Sequence, residues 1–234
     1  MEPISRGGHV LTREMLADGA IQRMVAASTP GLRLLTDAER AASLAEVMAR
    51  RLDRGGGAWL FAYGSLIWNP ALRFAARRLA RVHGWHRSFC LSTLAGRGTP
   101  EQPGLVLGLD RGGACTGAAF LIAEQDLAEE LPILWRREML SGSYQPRWIA
   151  VRDEHGAKFG HAIGFTICRT GDYYVGGLAE DEVVRRLATA SGGLGSSAEY
   201  LFHTRDGLRS LGILDPRIER LAQQVEAHRP APTP

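Results

Sequence analysis

The fold is decided by the stretch Trp59-Leu60-Phe61-Ala62-Tyr63-Gly64-Ser65-Leu66-Ile67-Trp68-Asn69-Pro70. Its opening residues are apolar or aromatic, in a run that is too short to cross a membrane and typical of a buried strand. The run breaks at Gly64-Ser65 and finishes at Asn69-Pro70, where Asn69 can cap a helix whose first residue is Pro70. The stretch therefore predicts a core strand, a tight bend and a short helical turn.

The bend at Gly64-Ser65 allows two interpretations. A bend that glycine permits can turn successive backbone N–H groups toward one point and so form an anion-binding concavity. It can equally be a plain exit from the strand. These residues alone leave both interpretations open.

The composition is that of an ordinary globular protein. With 234 residues, 45% of them hydrophobic and 23% charged, the chain can form one domain with terminal extensions. The formal net charge is +3, and Lys158 is the only lysine among 28 basic residues. The arginines are scattered and no aromatic-basic interleaving occurs, so we expect no nucleic-acid binding. Acidic small-molecule substrates remain compatible with this charge.

The sequence shows no sign of export or of a membrane span. The N-terminus lacks the apolar core of a secretory signal, and no apolar run approaches the ~18 residues that cross a bilayer. Cys90, Cys115 and Cys168 are far apart, which suits small buried hydrophobes in a reducing compartment. We therefore expect a cytoplasmic protein with no membrane partner.

The N-terminal residues 1–57 predict helices and no chemistry. Residues 11–27 have helical periodicity, weakened by Gly19. The capping box at 36–39 predicts a second helix, whose apolar positions are Leu44, Val47, Met48 and Leu52. A glycine-rich joint at 54–57 ends this helical extension, which packs on the core or on a second subunit.

Strands dominate the middle of the chain, and helices follow. Strands are expected at 79–94, 105–109 and 118–123, with a turn at 110–113, and at 145–152 and 158–168, which form a hairpin. Helices are expected at 124–139, kinked or split by Pro132, and at 180–190, 196–211 and 215–228. The pattern lacks βαβ alternation and predicts an α+β fold over 58–228, a small, mostly antiparallel β-barrel or curled sheet flanked by helices. Residues 229–234 are expected to be a disordered tail.

Several classes of site are missing from the sequence. There is no GxxxxGK[ST] phosphate loop, no GxSxG elbow and no GxGxxG motif. Lys158 lies in a predicted surface hairpin, which does not suit Schiff-base chemistry. His83 and His86 point to opposite faces of a predicted strand, and no HExxH motif occurs. We therefore expect no metal site.

Two further segments contain residues suited to a site. Segment 134–144 places the Glu138 carboxylate among Trp135, Met139 and Leu140 at a predicted helix end, and segment 191–201 is a glycine-rich start of a helix. Taken alone, each is better explained structurally, as a salt bridge at a helix end and as a helix cap.

Together with the first stretch, these segments resemble the ChaC branch of the gamma-glutamylcyclotransferases. The similar pieces are FAYGSLIWNP, WRREM followed by GSY, and GxxSSAEYL, together with the loop at 97–104 and the strand at 81–87. The resemblance covers about 58–214. It implies a barrel-centred α+β fold, no cofactor, and cleavage of glutathione into 5-oxoproline and cysteinylglycine.

The resemblance implies that Glu138 is the catalytic general base and acid. The α-amine of the γ-glutamyl group attacks its own γ-carbonyl, so one carboxylate can take a proton from the amine and return it to the leaving nitrogen. Burial against Trp135 and Met139, and a place at the C-terminal end of a helix, would raise its pKa toward that of the amine. Arg136 and Arg137 would oppose this shift, and we expect them mostly to point away.

The resemblance also implies substrate-binding residues. The loop Tyr63, Gly64, Ser65, Leu66, Ile67, Trp68 would hold either the substrate carboxylate or the oxyanion of the tetrahedral intermediate. Tyr144 and Tyr200 would orient Glu138 or the glutamyl group, or serve as core tyrosines. Arg87 and Arg97 are the candidate cations for the glycine carboxylate of glutathione.

Two other functions fit the same residues. One is a cyclotransferase that acts on other γ-glutamyl peptides or amines, which a substrate panel would distinguish. The other is a catalytically silent barrel that binds a partner protein through its helical N-terminus. An assay for 5-oxoproline separates both enzymes from the binding protein.

Overall fold

A computed structural model describes residues 11–53 and 55–228. The N-terminal helices are α1 (Arg13–Ala17), α2 (Ala20–Ser28) and α3 (Asp37–Ala49). The strands are β1 (Ala58–Ala62), β2 (Ala76–Thr93), β3 (Gly104–Ile122), β4 (Tyr144–Arg152), β5 (Lys158–Ile167), β6 (Ser191–Gly192) and β7 (Gly195–Ser196). The other helices are α4 (Ser65–Trp68), α5 (Leu127–Glu138), α6 (Glu180–Thr189), α7 (Ser197–Ser210) and α8 (Pro216–His228), with a 3-10 turn at Glu124–Asp126.

Strands β1 to β5 close into a barrel, which confirms the predicted α+β fold. Their order is β1-β3-β2-β4-β5, and neighbours in this order are antiparallel. The barrel closes where β1 runs parallel to β5. Large aromatic side chains, Phe61, Phe120 and Phe165, are fully buried in the core around these strands.

The central strands are longer than predicted, because the expected turn at 110–113 is a bulge inside β3. Residues on both sides of it stay paired with β2, and the register shifts between His83 and Trp85. Gly84, Gly112 and Gly113 have positive φ at this point, a conformation that suits a bulge. The glycines therefore bend two continuous strands together instead of ending them.

The N-terminal predictions are confirmed in part. The capping box is present, because Thr36 Oγ1 accepts from Glu39 N and the Glu39 carboxylate accepts from Thr36 N. The predicted helix over 11–27 is instead two helices, since Gly19 has φ 74° between α1 and α2. Leu52 lies beyond the end of α3 and is 60% exposed, so its assignment to the apolar face was wrong.

The remaining elements follow the sequence pattern closely. The hairpin β4–β5 and the helices α6, α7 and α8 lie within a few residues of their predicted bounds. Helix α5 continues through Pro132 without a split. Arg54 of the expected joint and the expected tail at 229–234 lie outside the described residues.

Neither a membrane span nor a metal-binding cluster is found in the part of the chain that the structure describes. None of the helices between residues 11 and 228 combines the length and apolar character that crossing a bilayer requires. No group of three His, Cys, Asp or Glu side chains among these residues is arranged to hold a metal ion.

Candidate active site

The bend that follows β1 leads directly into the short helix α4. Ile67 N donates to Gly64 O at 2.9 Å, and Asn69 N donates to Ser65 O at 2.8 Å. Asn69 therefore ends a helix, and the prediction that Asn69-Pro70 starts one is wrong. The helical turn lies earlier because it buries Leu66 and Ile67 in the core.

Gly64 is required by the close approach of Tyr200. A Cβ atom at position 64 would lie 3.0 Å from the Tyr200 hydroxyl and 3.4 Å from Leu107 Cδ1. Its φ of −141° lies outside the left-handed region that favours glycine, and the restriction shown here is the lack of space beside Tyr200. The bend between β1 and α4 is thus packed directly against a tyrosine of α7.

Glu138 is the last residue of α5 and one of the residues that line a cavity. Its side chain is 12% exposed, and Met139 N bonds to Trp135 O to close the helix. Burial raises the pKa of Glu138, while the adjacent Arg137 opposes this shift. A carboxyl group whose pKa is raised toward neutrality is suited to moving protons.

Arg137 points into the site, contrary to the expectation from the sequence. Its side chain is 5% exposed, and its Nε lies 3.0 Å from Glu138 Oε1. The two Nη atoms donate to Ser65 Oγ at 3.0 Å and to the backbone oxygens of Asn69 and Pro70. Arg136 is the residue that faces outward, donating to Ala17 O. Arg137 therefore joins helix α5 to the loop after β1.

One N–H group of the Arg137 guanidinium is left free to bind a ligand. A guanidinium has five N–H groups. Four of them are assigned to Glu138, Ser65, Asn69 and Pro70, and the remaining one, on Nη2, has no acceptor among the described residues. Because Arg137 lines the cavity, this donor can bind an anionic group there.

Three tyrosines surround the same corner. Tyr144 Oη donates to Leu107 O at 2.7 Å, and Tyr63 Oη donates to Phe165 O at 2.8 Å. Burial raises the pKa of Tyr63 and Tyr144 well above the ordinary tyrosine value, and that of Tyr200 to about 12. All three are therefore neutral hydroxyl groups at physiological pH.

The cavity has a volume of about 220 Å³ and brings together six of the predicted site residues. These are Ser65, Trp68, Arg97, Glu138, Tyr144 and Tyr200. Tyr63, Gly64, Leu66 and Ile67 lie behind this surface and support it, since all four are buried.

The two candidate cations separate clearly. Arg97 lines the cavity, where its Nη1 lies 3.6 Å from Glu199 and donates to Ser196 O. Arg87 is buried away from the cavity, with its Nη1 3.3 Å from Asp215, the residue before α8. The prediction of Arg87 as a substrate-binding residue is therefore not supported, because its charge anchors α8 to the barrel.

Sequence reasoning missed two features of the site. The first is Arg137, whose inward direction was signalled by its helical spacing from the buried residues Glu130 and Ile133, which precede it by seven and four positions. The second is the N-terminal segment, which was expected to have no part in the chemistry and yet lines the cavity. Its contribution depends on a long-range contact that periodicity does not show.

Comparison with known proteins assigns the chain to a family. The model of the family described as ChaC-like protein matches residues 58–228. The chain belongs to the ChaC-like family. The glutathione-specific gamma-glutamylcyclotransferase of Escherichia coli is 39% identical over 217 residues, which are 93% of either chain. Gamma-glutamylcyclotransferase 2-1 of Arabidopsis thaliana is 31% identical over 175 residues, 71% of this chain and 81% of that protein.

A solved structure supports the same fold. The crystal structure of a yeast gamma-glutamylcyclotransferase specific to glutathione superposes with a TM-score of 0.68 at 21% identity. It covers 75% of this chain and 98% of the yeast chain. At this level of identity the likeness shows the ChaC-like barrel fold.

Proposed function

We propose that this ChaC-like protein is a glutathione-specific gamma-glutamylcyclotransferase, which converts glutathione into 5-oxoproline and cysteinylglycine. One observation carries the proposal: the largely buried Glu138 shares a cavity with Ser65, Tyr144 and Tyr200, and forms an ion pair with Arg137 beside them. The similarity to the E. coli enzyme over nearly the whole chain supports the same substrate.

The proposed reaction depends mainly on how the enzyme orients the α-amine and the γ-carbonyl of the substrate. The α-amine of the γ-glutamyl group attacks the γ-carbonyl carbon, a C–N bond forms in a five-membered ring, and the bond to the cysteine nitrogen breaks. Because nucleophile and electrophile belong to one molecule, holding them in line can remove up to about 7–11 kcal/mol of the barrier. No electron transfer is involved, and we therefore propose that no cofactor is required.

Glu138 carries the proton between the two nitrogens. As a carboxylate it accepts a proton from the ammonium group of the substrate, and as an acid it returns that proton to the departing cysteine nitrogen. The second proton that the attacking nitrogen loses when it becomes the lactam N–H passes through the same carboxylate to the released amine, which leaves as an ammonium group. Burial of Glu138 brings its pKa closer to that of an amine, and the proton transfers become less uphill. Arg137 limits this shift and keeps the carboxylate form available in the free enzyme.

Arg137 and the loop after β1 hold negative charge on the substrate. The remaining N–H of Arg137 Nη2 and the hydroxyl of Ser65 lie beside Glu138 and can bind the α-carboxylate of the glutamyl group or the developing oxyanion. Tyr200 offers a further hydroxyl group on the same surface, while Tyr144 Oη already donates its hydrogen to Leu107 O. Removing one donor to an oxyanion typically costs about 2.7–4 kcal/mol.

Arg97 is the proposed partner of the glycine carboxylate. It lies on the cavity wall, largely buried, and is only partly neutralised by Glu199 at 3.6 Å. Burial lowers the pKa of Arg97, because its guanidinium is poorly solvated in the cavity wall. A substrate that ends in a carboxylate would neutralise the remaining positive charge of Arg97.

The test is an assay with glutathione as the sole added reactant, without ATP or metal. We expect 5-oxoproline and cysteinylglycine in equal amounts, and much slower release of 5-oxoproline from γ-glutamyl amines, which lack the distal carboxylate. Equal rates on both substrates would indicate a general γ-glutamyl cyclotransferase. No product from any γ-glutamyl compound would indicate a binding protein and contradict the proposal.

A further inference from the structure

The N-terminal arm, defined here as residues 11–35, forms one wall of the candidate active site. It supplies four apolar side chains to the cavity that contains Glu138: Leu11, Ile21, Val25 and Leu32. Ile21 and Val25 also pack in a small cluster with Ile133 of the catalytic helix. The arm is therefore part of the cavity and not only a neighbour of the barrel.

Hydrogen bonds attach the arm to the segments that border the cavity. Gln22 Nε2 donates to Arg136 O at 2.9 Å, and Leu35 N donates to Leu140 O at 2.9 Å, on the two sides of Glu138. Thr29 Oγ1 donates to Leu94 O at 3.0 Å. These bonds use main-chain atoms of the site, so they fix the arm in one position relative to it.

An ion-pair cluster fixes the start of the arm to the same helix. Glu130 of α5 is fully buried, and its carboxylate pairs with Arg13 of α1 and with Arg73. A buried carboxylate without its cation is strongly unfavourable. This cluster gives the arm a second attachment, one helical turn before the apolar contact with Ile133.

The arm lies outside the part of the chain that the family model matches, which begins at residue 58. The residues proposed to act on the γ-glutamyl group all lie inside that part. What the arm adds is thus not the chemistry of the family but the shape of the space beside it.

The chemistry of the wall indicates which part of the substrate it meets. The α-amine and α-carboxylate of the glutamyl group need the polar corner made by Ser65, Arg137 and Glu138, and the distal carboxylate needs a cation. The side chain between them, which carries a thiol in glutathione, has no charge. An apolar wall that brings no charged side chain to the cavity suits that group alone.

We infer that the N-terminal arm is a specificity element, in which Ile21 and Val25 set the size of the side chain accepted next to the γ-glutamyl bond. This inference rests on the proposed function and names a determinant of its substrate range. It gives residues 11–35, in which the sequence predicted no chemistry, a proposed role in selecting the substrate.

The test compares glutathione with S-hexylglutathione as substrates of variants at position 25. Val25→Ala enlarges the cavity, and we expect the ratio of kcat/KM for S-hexylglutathione to that for glutathione to rise about tenfold, since one methylene in an apolar pocket changes discrimination about 10- to 200-fold. Val25→Phe fills the same space, and we expect that ratio to fall.

The matched control is Val47→Ala. Val47 is also a buried valine of the N-terminal part, but it lies in α3 and does not line the cavity. We expect Val47→Ala to leave the ratio as in the wild type, with any loss confined to thermal stability. Ile21→Val provides a milder change if Val25→Ala does not fold, and its ratio should rise less.

Each outcome has a single meaning. A ratio that is the same in Val25→Ala, Ile21→Val and Val47→Ala would overturn the inference while leaving the proposed function intact. A wild-type protein that releases no 5-oxoproline from glutathione would overturn the proposed function, and this inference with it. That second failure is visible in the wild-type arm before any variant is compared.

Discussion

Arg137 and Glu138 are consecutive residues whose side chains meet again in space, in a buried pair at the end of α5. Burial disfavours the charge on either group, and each group favours the charge on the other. The pair therefore sets the pH at which Glu138 ionises. Arg137 thus has a second proposed role beside its contact with the substrate, which is to hold down the pKa of Glu138.

Replacing Arg137 should move the pH dependence of catalysis. The free enzyme needs the Glu138 carboxylate, so activity falls as the pH drops through the Glu138 pKa. Arg137→Gln removes the cation that lowers this pKa and leaves the burial that raises it. We expect the acidic limb of the kcat/KM profile to shift to higher pH, with a smaller shift for Arg137→Lys.

The control for this shift is the neighbouring Arg136→Gln. Arg136 is partly exposed, donates to Ala17 O and lies 3.8 Å from Asp37, away from the cavity. Its replacement should leave the acidic limb in place. An Arg137→Gln enzyme whose acidic limb stays in place or moves to lower pH would show that the ion pair does not govern Glu138.

Gly64→Ala should damage the site through a single close contact. The added methyl group would lie 3.0 Å from the Tyr200 hydroxyl, so the loop after β1 or the Tyr200 side chain must move by a few tenths of an ångström. Overpacking of this kind typically costs about 1–3 kcal/mol. We expect lower thermal stability and lower kcat/KM for Gly64→Ala, measured by thermal unfolding and by 5-oxoproline release.

The cause can be separated from other effects by a double-mutant cycle with Tyr200→Phe. Removing the hydroxyl creates the missing space, so Gly64→Ala should cost less stability in the Tyr200→Phe background than in the wild type. An equal cost in both backgrounds would show that the contact with Tyr200 is not the reason for glycine.

At the residue scale, the sequence indicated Glu138 as the candidate catalytic acid, but it did not indicate the partners that surround this side chain. Glu138 follows the buried residues Leu127, Leu131 and Leu134 at helical spacing, so its burial is encoded in the pattern of α5. The direction of a long arginine side chain depends on which partners lie within reach. Those partners, Ser65 for Arg137 and Asp215 for Arg87, are far away in sequence.

At the scale of elements, helix α5 stays continuous because burial of its apolar face outweighs the helix-breaking tendency of Pro132. Pro132 lacks the N–H that would bond to Ala128 O, yet the helix runs unbroken from Leu127 to Glu138. The apolar face with Leu131, Leu134 and Trp135 is buried in the core, while Pro132 is exposed on the opposite side. Tertiary packing therefore holds a helix that the sequence alone would allow to split.

Pro132→Ala should stabilise the protein without changing catalysis. Proline within a helix is unfavourable by about 3 kcal/mol relative to alanine, and the loss of its restriction on the unfolded chain returns about 0.4–1 kcal/mol. We expect a net gain of about 1–3 kcal/mol in the free energy of unfolding by urea titration. A destabilised variant, or one with altered kcat, would indicate that Pro132 shapes the end of α5.

Helices and strands were predicted well where their sequence signal is short and local. They were predicted poorly where a glycine can form either a turn or a bulge. The capping box at Thr36 and the hairpin β4–β5 were found from short signals whose partners are close in sequence. Gly112 and Gly113 signal a turn equally well as a bulge, and only the pairing with β2 distinguishes them. The same holds for the bend at Gly64.

At the scale of the whole molecule, helix α3 and the barrel share one core, while α1 and α2 pack in a second cluster against Ile133 of α5. Trp135 Nε1 of α5 donates to Ser43 Oγ at 3.2 Å, and Trp148 Nε1 of β4 donates to Val47 O at 2.7 Å. Both bonds run from the barrel region into α3. The boundary at residue 57 that we predicted from the sequence thus separates segments that depend on one another.

Unfolding should therefore occur in one cooperative step. Tryptophan fluorescence reports on all five tryptophans, of which Trp135 and Trp148 lie at the contact with α3, while circular dichroism follows the whole chain. We expect the two signals to give the same transition midpoint, as for a single domain. A fluorescence transition that precedes the circular dichroism transition would show that the N-terminal helices form a separate unit.

The closed barrel and its flanking helices were predictable at this scale, and the cavity was not. The sequence has consecutive strands and no βαβ units, and this pattern argues against a doubly wound parallel sheet. The cavity, in contrast, forms where the arm, α4, α5 and α7 converge, and four of its lining residues come from a segment with no signal of function. Such a site is a product of packing between elements.

The proposed cyclotransferase mechanism depends on Glu138, and one comparison tests this dependence most directly. Purified wild type and Glu138→Gln are incubated with glutathione alone, and 5-oxoproline is measured, with the exposed Glu129→Gln on the same helix as the control. We predict product from the wild type and from Glu129→Gln, and a loss of about 10²–10⁴-fold for Glu138→Gln, the usual contribution of a general acid–base group. A Glu138→Gln enzyme as active as the wild type would contradict the account.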